Sequence, residues 1–195
     1  HFIYQDRDKP DVDFIVPKNF ISPHSSDRCL RYLMNNNSFT AFNTNKADVR
    51  FDPALDRVVF MVHDDEDKII GGVGRSLNYN ILPKWYVYGS KKYPFICGGG
   101  DTAVIVEDCA SACAVSDNFA GLALMGTSLP QEYTTVIKKR FKNVIVALDR
   151  DATTKAFDIA REVGMVAHTR VVMLEDDLKY FKPDEIKDML CKNDS

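Results

Sequence analysis

The sequence predicts an α/β chain: a mostly parallel sheet with helices on both faces, preceded by a smaller mixed α+β subdomain. Three observations support this. From Asp101 onward, apolar runs alternate with amphipathic stretches of helical length: AVIVE, DCASACAVSD, FAGLALMG, LPQEYTTVIKKR, NVIVALD, DATTKAFDIAREVG and AHTRVVML. Continuous apolar strands of this kind belong to sheets buried on both faces, and the helices between them are the crossovers that parallel pairing needs. Before that point the runs are short and alternating, separated by acidic or proline-containing turns, as in an antiparallel meander. The glycines of CGGGD allow a sharp change of chain direction between the two patterns. The expected units are residues 1–99 and 100–195.

Within the first unit, His1 to Pro23 is polar apart from DFIVP, which is expected to be a strand or a docking arm. SSDRCLRYLMNN reads as a helix capped by Ser25 or Ser26, with Leu30, Leu33 and Met34 as its apolar face and Asn35 to Asn37 as its end. Strands follow around Val49 and Phe51, over Val58 to Val62, and through the glycines of IIGGVGRS. GGVGR lacks the third glycine and the following helix of a dinucleotide-binding loop. LPKWYVYGSKKYPF then interleaves aromatic and basic residues.

Composition narrows the function classes. A chain of 195 residues, 45% hydrophobic, can bury a core without disulfides, and no apolar run reaches the 18 or so residues that span a bilayer. A formal net charge of −3 confines any nucleic-acid contact to a local basic patch. The five cysteines form no CxxC pair, which argues against a zinc ribbon or a secreted disulfide framework and for reduced thiols inside a cell. Cys109 and Cys113, four apart on a helix, read as small buried residues. His1 is no initiator, and the chain is expected to be part of a longer one.

The chemistry concentrates at the carboxyl ends of the expected parallel strands, where open α/β sheets bind ligands. Glu107 ends AVIVE, Asp149 ends NVIVALD with Asp151 two residues on, and Glu175, Asp176 and Asp177 end RVVMLEDD. Two carboxylates roughly 6 Å apart repel by about 3 kcal/mol at an effective dielectric near 20, so such a rim calls for a counter-charge. Oxygen-only donors favour Mg²⁺ or Mn²⁺ over zinc, and Mg²⁺ prefers to share its coordination with phosphates. The competing explanation is that each acid caps the helix that follows it.

VIVEDCASACAV, LALMGTSLPQEY and VIVALDRDATTKAFDIA together resemble the Toprim domain, a Rossmann-like catalytic fold of bacterial-type primases, topoisomerases and some nucleases. A strand-end Glu followed by Asp-x-Asp is met by Glu107, Asp149 and Asp151. Upstream, DKIIGGVGRSLNYNILPKWYVYG is similar to the Gly-Arg and Pro-Lys stretch that precedes Toprim in bacterial and phage primases, so the resemblance covers about Leu55 to Leu190. Two departures stand out. Asp108 replaces the usual glycine after the motif Glu and puts a further negative charge beside the site, and Thr153-Thr154 replaces Ala-Gly at the next helix start.

The resemblance implies a primase RNA polymerase domain, phage-like in its compactness, that makes short RNA primers from NTPs on single-stranded DNA. Glu107, Asp149 and Asp151 would be catalytic and, with Asp177 (Asp176 being its neighbour in register), would hold Mg²⁺ or Mn²⁺ in two-metal nucleotidyl transfer. Arg75, Lys84, Lys91 and Lys92 would contact nucleotide or DNA, and Trp85 or Tyr86 would stack on a base. The implied partners are template, NTPs and RNA primer, with a replicative helicase and a zinc-binding template reader outside this chain, all in the cytoplasm of a bacterial or infected cell. The alternatives are a Toprim nuclease and a non-catalytic module that docks DNA or a replication partner.

Overall fold

The structure, a computed structural model, describes Ile3–Tyr4 and residues 13–191. The first half forms a five-stranded sheet in the order β1-β5-β4-β3-β2, built from β1 (Ile3–Tyr4), β2 (Val49–Asp52), β3 (Arg57–His63), β4 (Ile69–Ser76) and β5 (Trp85–Gly89). β2 to β5 are an antiparallel meander, and β1 joins its edge in parallel with β5. α1 (Asp27–Asn35) packs over this sheet. Its cap is Ser26, whose hydroxyl accepts from the Cys29 amide, and its buried face is Cys29 and Leu33. Met34, expected on that face, is 55% exposed, because it lies one position beyond the stripe that Cys29 and Leu33 define. DFIVP forms no strand. Phe14 and Val16 instead lie with Phe20 against Val59, Met61 and Tyr88 on the outer face of the sheet, so the run is a docking arm.

The second sheet has the order β10-β9-β7-β8-β6, from β6 (Ile96–Cys97), β7 (Thr102–Val106), β8 (Ala120–Ala123), β9 (Asn143–Asp149) and β10 (His168–Leu174). β7 to β10 are parallel, and β6, which precedes the triple glycine, pairs antiparallel with β8. The crossovers are α3 (Cys109–Ala114), α4 (Gln131–Arg140) and α5 (Thr153–Val163); α2 (Phe39–Asn43) lies upstream and α6 (Pro183–Cys191) closes the chain.

Strand alternation sends side chains to two cores. Ile105, Leu122, Val146 and Leu148 pack against Ile137 of α4 and Ile159 and Val163 of α5. On the other face Val104, Ile145 and Val172 join α3, α6 and, through Phe95, Phe60 of the meander. The two sheets therefore share a core, with α3 inside it. α3 approaches β8 so closely that a Cβ on Gly121 would lie 2.1 Å from the Ala112 carbonyl oxygen, and only glycine fits there. Cys109 and Cys113 are buried on that helix. Among the described residues no helix is long and apolar enough to cross a membrane.

Candidate active site

Parallel pairing of β7, β9 and β10 aims their carboxyl ends at one rim. Glu107 follows β7 directly, Asp149 is the last residue of β9, Asp151 lies in the 3-10 turn Arg150–Ala152, and Asp177 precedes the 3-10 turn Leu178–Tyr180 after β10. All four line one pocket, joined by Asp108, Lys84, Lys155 and Lys179. Of the two acids that register left open, Asp177 faces this pocket. Asp176 is exposed and accepts from the Asp177 amide. Glu175 turns outward to an exposed ion pair with Arg150 at 2.6 Å.

Capping and charge coexist at this rim. Asp149 accepts from the Asp151 amide at 3.0 Å with one carboxylate oxygen, as a helix cap does, yet it still lines the pocket. Glu107 receives Lys155 Nζ, reaching back from the first turns of α5, at 3.1 Å. Asp108 caps α3 by accepting from the Ser111 amide at 2.9 Å, and its other oxygen takes Lys179 Nζ at 2.7 Å. Both partners are nearly sealed, with side chains 5% and 3% exposed. The charge that replaces the expected glycine is thus neutralised inside the fold instead of standing free beside the site. Lys179 also lies 3.6 Å from Asp177.

The electrostatics follow from this crowding. Burial pushes the Asp177 carboxyl above its ordinary range, and the negative charges of Asp108, Glu107 and Asp149 push it further, against the pull of Lys179. Burial alone would lower Lys179, but Asp108 and Asp177 outweigh it and hold the ammonium above its usual value. Lys84 is held below its usual value by burial and by the neighbouring charges of Arg75 and Lys179.

The basic residues singled out in the sequence separate into two groups. Lys84 lines the acid pocket, whereas Arg75, Lys91 and Lys92 do not. The Arg75 guanidinium sits 5.7 Å from the Tyr32 ring centroid and 5.6 Å from that of Trp85, behind the pocket wall. Trp85, expected to stack on a base, is 4% exposed and packs on Phe60, although its edge reaches the pocket. Tyr86 meets Tyr88 edge-on at 4.8 Å and the Arg57 guanidinium at 5.5 Å. Both aromatics belong to the packing of the meander.

A divalent cation suits this pocket by its chemistry. The acidic donors are all carboxylate oxygens, and five carboxylates (Glu107, Asp108, Asp149, Asp151 and Asp177) face three ammonium groups (Lys84, Lys155 and Lys179), leaving two negative charges unbalanced. Among the described residues no three acidic, His or Cys side chains are gathered closely enough to hold a metal ion as the side chains stand.

Lys155 and Lys179 are the pocket residues that sequence reasoning missed. Lys155 could have been found, since it lies four residues after Asp151 on the same face of the helix start. Lys179 carries no such signal: its partner Asp108 is 71 residues away.

No protein-family model matches the chain. A DNA primase from Clostridium acetobutylicum is 32% identical over 133 residues, 58% of this chain, and the match spans only 22% of the relative's length. Among solved structures, the zinc-binding and RNA polymerase domains of the Aquifex aeolicus primase superpose with a TM-score of 0.62 at 19% identity, over 89% of this chain and 50% of that one. A DnaG primase catalytic domain bound to single-stranded DNA gives 0.58 at 17% identity, over 87% of this chain and 60% of that one. Sequence likeness over part of the chain and fold likeness over most of it agree, and the chain has the Toprim-containing fold of the RNA polymerase domain of a DNA primase.

Proposed function

We propose that this chain is the nucleotidyl-transfer portion of a primase, extending an RNA primer from NTPs on a single-stranded DNA template. The observation that carries this reading is the gathering of Glu107, Asp149, Asp151 and Asp177, from three parallel strands, in one pocket with Lys84 at its edge. The structural neighbour bound to single-stranded DNA supports the choice of template.

Glu107, Asp149, Asp151 and Asp177 would hold Mg²⁺ or Mn²⁺, which would neutralise the triphosphate and lower the pKa of the attacking 3′-hydroxyl. Lys84 would meet the phosphate oxygens, whose negative charge would offset the burial and the neighbouring Arg75 and Lys179 charges that lower its pKa. Lys155 balances the Glu107 charge until a cation takes its place, and Lys179 keeps the Asp177 turn against α3. Arg75 stiffens the wall behind Lys84 through its two aromatic neighbours. Residues 1–99 and 100–195 are proposed as the two units, with β6 at the end of the first lending an edge strand to the sheet of the second. Template selection and helicase coupling are assigned to parts outside the chain, in a bacterial or infected-cell cytoplasm.

The test is incorporation of labelled NTPs on single-stranded DNA with Mg²⁺ or Mn²⁺, with and without an annealed primer. Asp149→Ala and Asp151→Ala should each reduce incorporation to background. Metal-dependent degradation of DNA without incorporation would favour a nuclease instead. A second reading, a non-catalytic DNA-docking module, is favoured by the lysines that already occupy Glu107 and Asp177. It predicts DNA binding indifferent to both substitutions and no incorporation.

A further inference from the structure

The loop between β4 and β5 is anchored at both ends and greasy at its tip. At its base the Ser76 amide donates to the Lys84 carbonyl at 3.0 Å. The Arg57 guanidinium, on a residue 2% exposed, donates to the carbonyls of Gly74 at 3.0 Å and Pro83 at 2.7 Å. Leu77 is pinned twice more: its amide donates to the Asp56 carbonyl at 3.0 Å, and its carbonyl accepts from Arg28 at 3.2 Å. The turn itself is ordered by the Ser76 hydroxyl donating to the Asn78 carbonyl at 2.7 Å and by the Asn80 amide donating to the Asn78 side chain at 2.9 Å.

On this scaffold Tyr79 is 95% exposed, Leu82 80% and Ile81 37%. Single exposed apolar residues are ordinary, but three within four positions on a braced loop make a patch that calls for an occupant. The loop runs from the strand of Arg75 directly to Lys84, whose ammonium faces the acid pocket. An exposed aromatic ring with a cationic foot is the composition with which proteins hold single strands without reading sequence: the ring stacks on a base and the cation meets the backbone.

We propose that the Asn78–Leu82 tip is a base-stacking platform for single-stranded nucleic acid, with Tyr79 as its stacking residue, placing the strand that enters the acid pocket beside Lys84. This rests on the primase-type reading of the pocket and adds to it a residue and a contact mode. Bracing by Arg57 and Asn78 keeps the ordering cost of binding low, because the loop need not be immobilised when the strand arrives.

The test uses the whole chain and a fluorescein-labelled oligothymidylate, with dissociation constants measured by anisotropy across a salt series. Tyr79→Ala should weaken binding by about 10-fold, within the range expected for one stacked base. Tyr79→Phe and Tyr79→Trp should restore affinity to within about twofold. The salt slope should be unchanged in Tyr79→Ala and should fall by about 0.7 in Lys84→Ala, as expected for one lost backbone contact to a single strand. A nearly fully exposed Tyr79 can be replaced without disturbing the core, so its loss reads binding and not folding. If the chain binds the oligonucleotide and Tyr79→Ala binds equally well, the platform is wrong while the primase-type reading stands, and a protein partner becomes the occupant to seek. If the unaltered chain binds no single strand, both fall.

Discussion

Lys179 and Asp108 form an ion pair of 2.7 Å with both side chains almost wholly out of solvent. It ties the turn that carries Asp177 to the start of α3, which the Asp108 carboxylate also caps. Removing one partner of such a pair leaves a buried charge without compensation, at a cost of about 3–5 kcal/mol, whereas removing both costs far less. Asp108→Asn and Lys179→Met should each lower the urea midpoint strongly, and the double variant should recover most of the loss. Additive losses in equilibrium unfolding would show that the two residues are not coupled.

Asp177 predicts a conflict between stability and site. Its carboxyl is raised by burial and by the surrounding acids, so the carboxylate form is less well accommodated in the folded chain than in the unfolded one. A raised carboxylate pKa favours the fold most below the unfolded value near 3.9, and that advantage is lost as pH rises through the folded value. Asp177→Asn should therefore raise the melting temperature of the metal-free chain at pH 7, with the gain vanishing near pH 3. The same variant should lose most of the stabilisation that added Mg²⁺ gives the unaltered chain. Thermal scans at both pH values, with and without Mg²⁺, check both outcomes.

The strand ends were legible because capping explains single acids better than acids at the ends of three parallel strands, and Glu107, Asp149, Asp151 and Asp177 do line one pocket. Their partners were not legible. Lys179 and Asp108 are 71 positions apart, and only tertiary packing joins them. Trp85 illustrates the same limit: beside Lys84 it reads as a stacking aromatic, but strand alternation turns it into the core against Phe60. The arm at Phe14 and Val16 was ambiguous because a short apolar run can pair as a strand or simply lie on a sheet, and local composition does not distinguish the two.

His63 gives the meander a pH signature. Its ring nitrogens lie 2.8 Å from Asp48 and 2.9 Å from Asp67. Burial alone would lower its pKa, but the bonds to those two acids outweigh it and the net shift is upward. A raised histidine contributes stability that is full below about 6.5 and is lost as pH rises through the folded value. The melting-temperature gap between the unaltered chain and His63→Gln should therefore be widest near pH 5.5 and shrink by pH 9. A gap constant over that range would mean that the neutral ring holds the contacts equally well.

Lys155 sets how freely Glu107 can serve a cation. The pair is only partly exposed, 19% at the lysine and 29% at the glutamate, and Lys155 donates to both carboxylate oxygens, at 3.1 and 3.4 Å. A divalent ion that uses Glu107 must compete with that ammonium. Replacing the lysine by an uncharged side chain of similar length removes the competitor and one positive charge from an already acidic pocket. Lys155→Met should thus bind Mg²⁺ more tightly, by about 10-fold if the pair is worth close to 1.4 kcal/mol, while unfolding more readily without metal. Isothermal titration with Mg²⁺ reads the first effect and denaturant unfolding the second. Weaker Mg²⁺ binding in Lys155→Met would instead make Lys155 the residue that holds Glu107 in place for the ion.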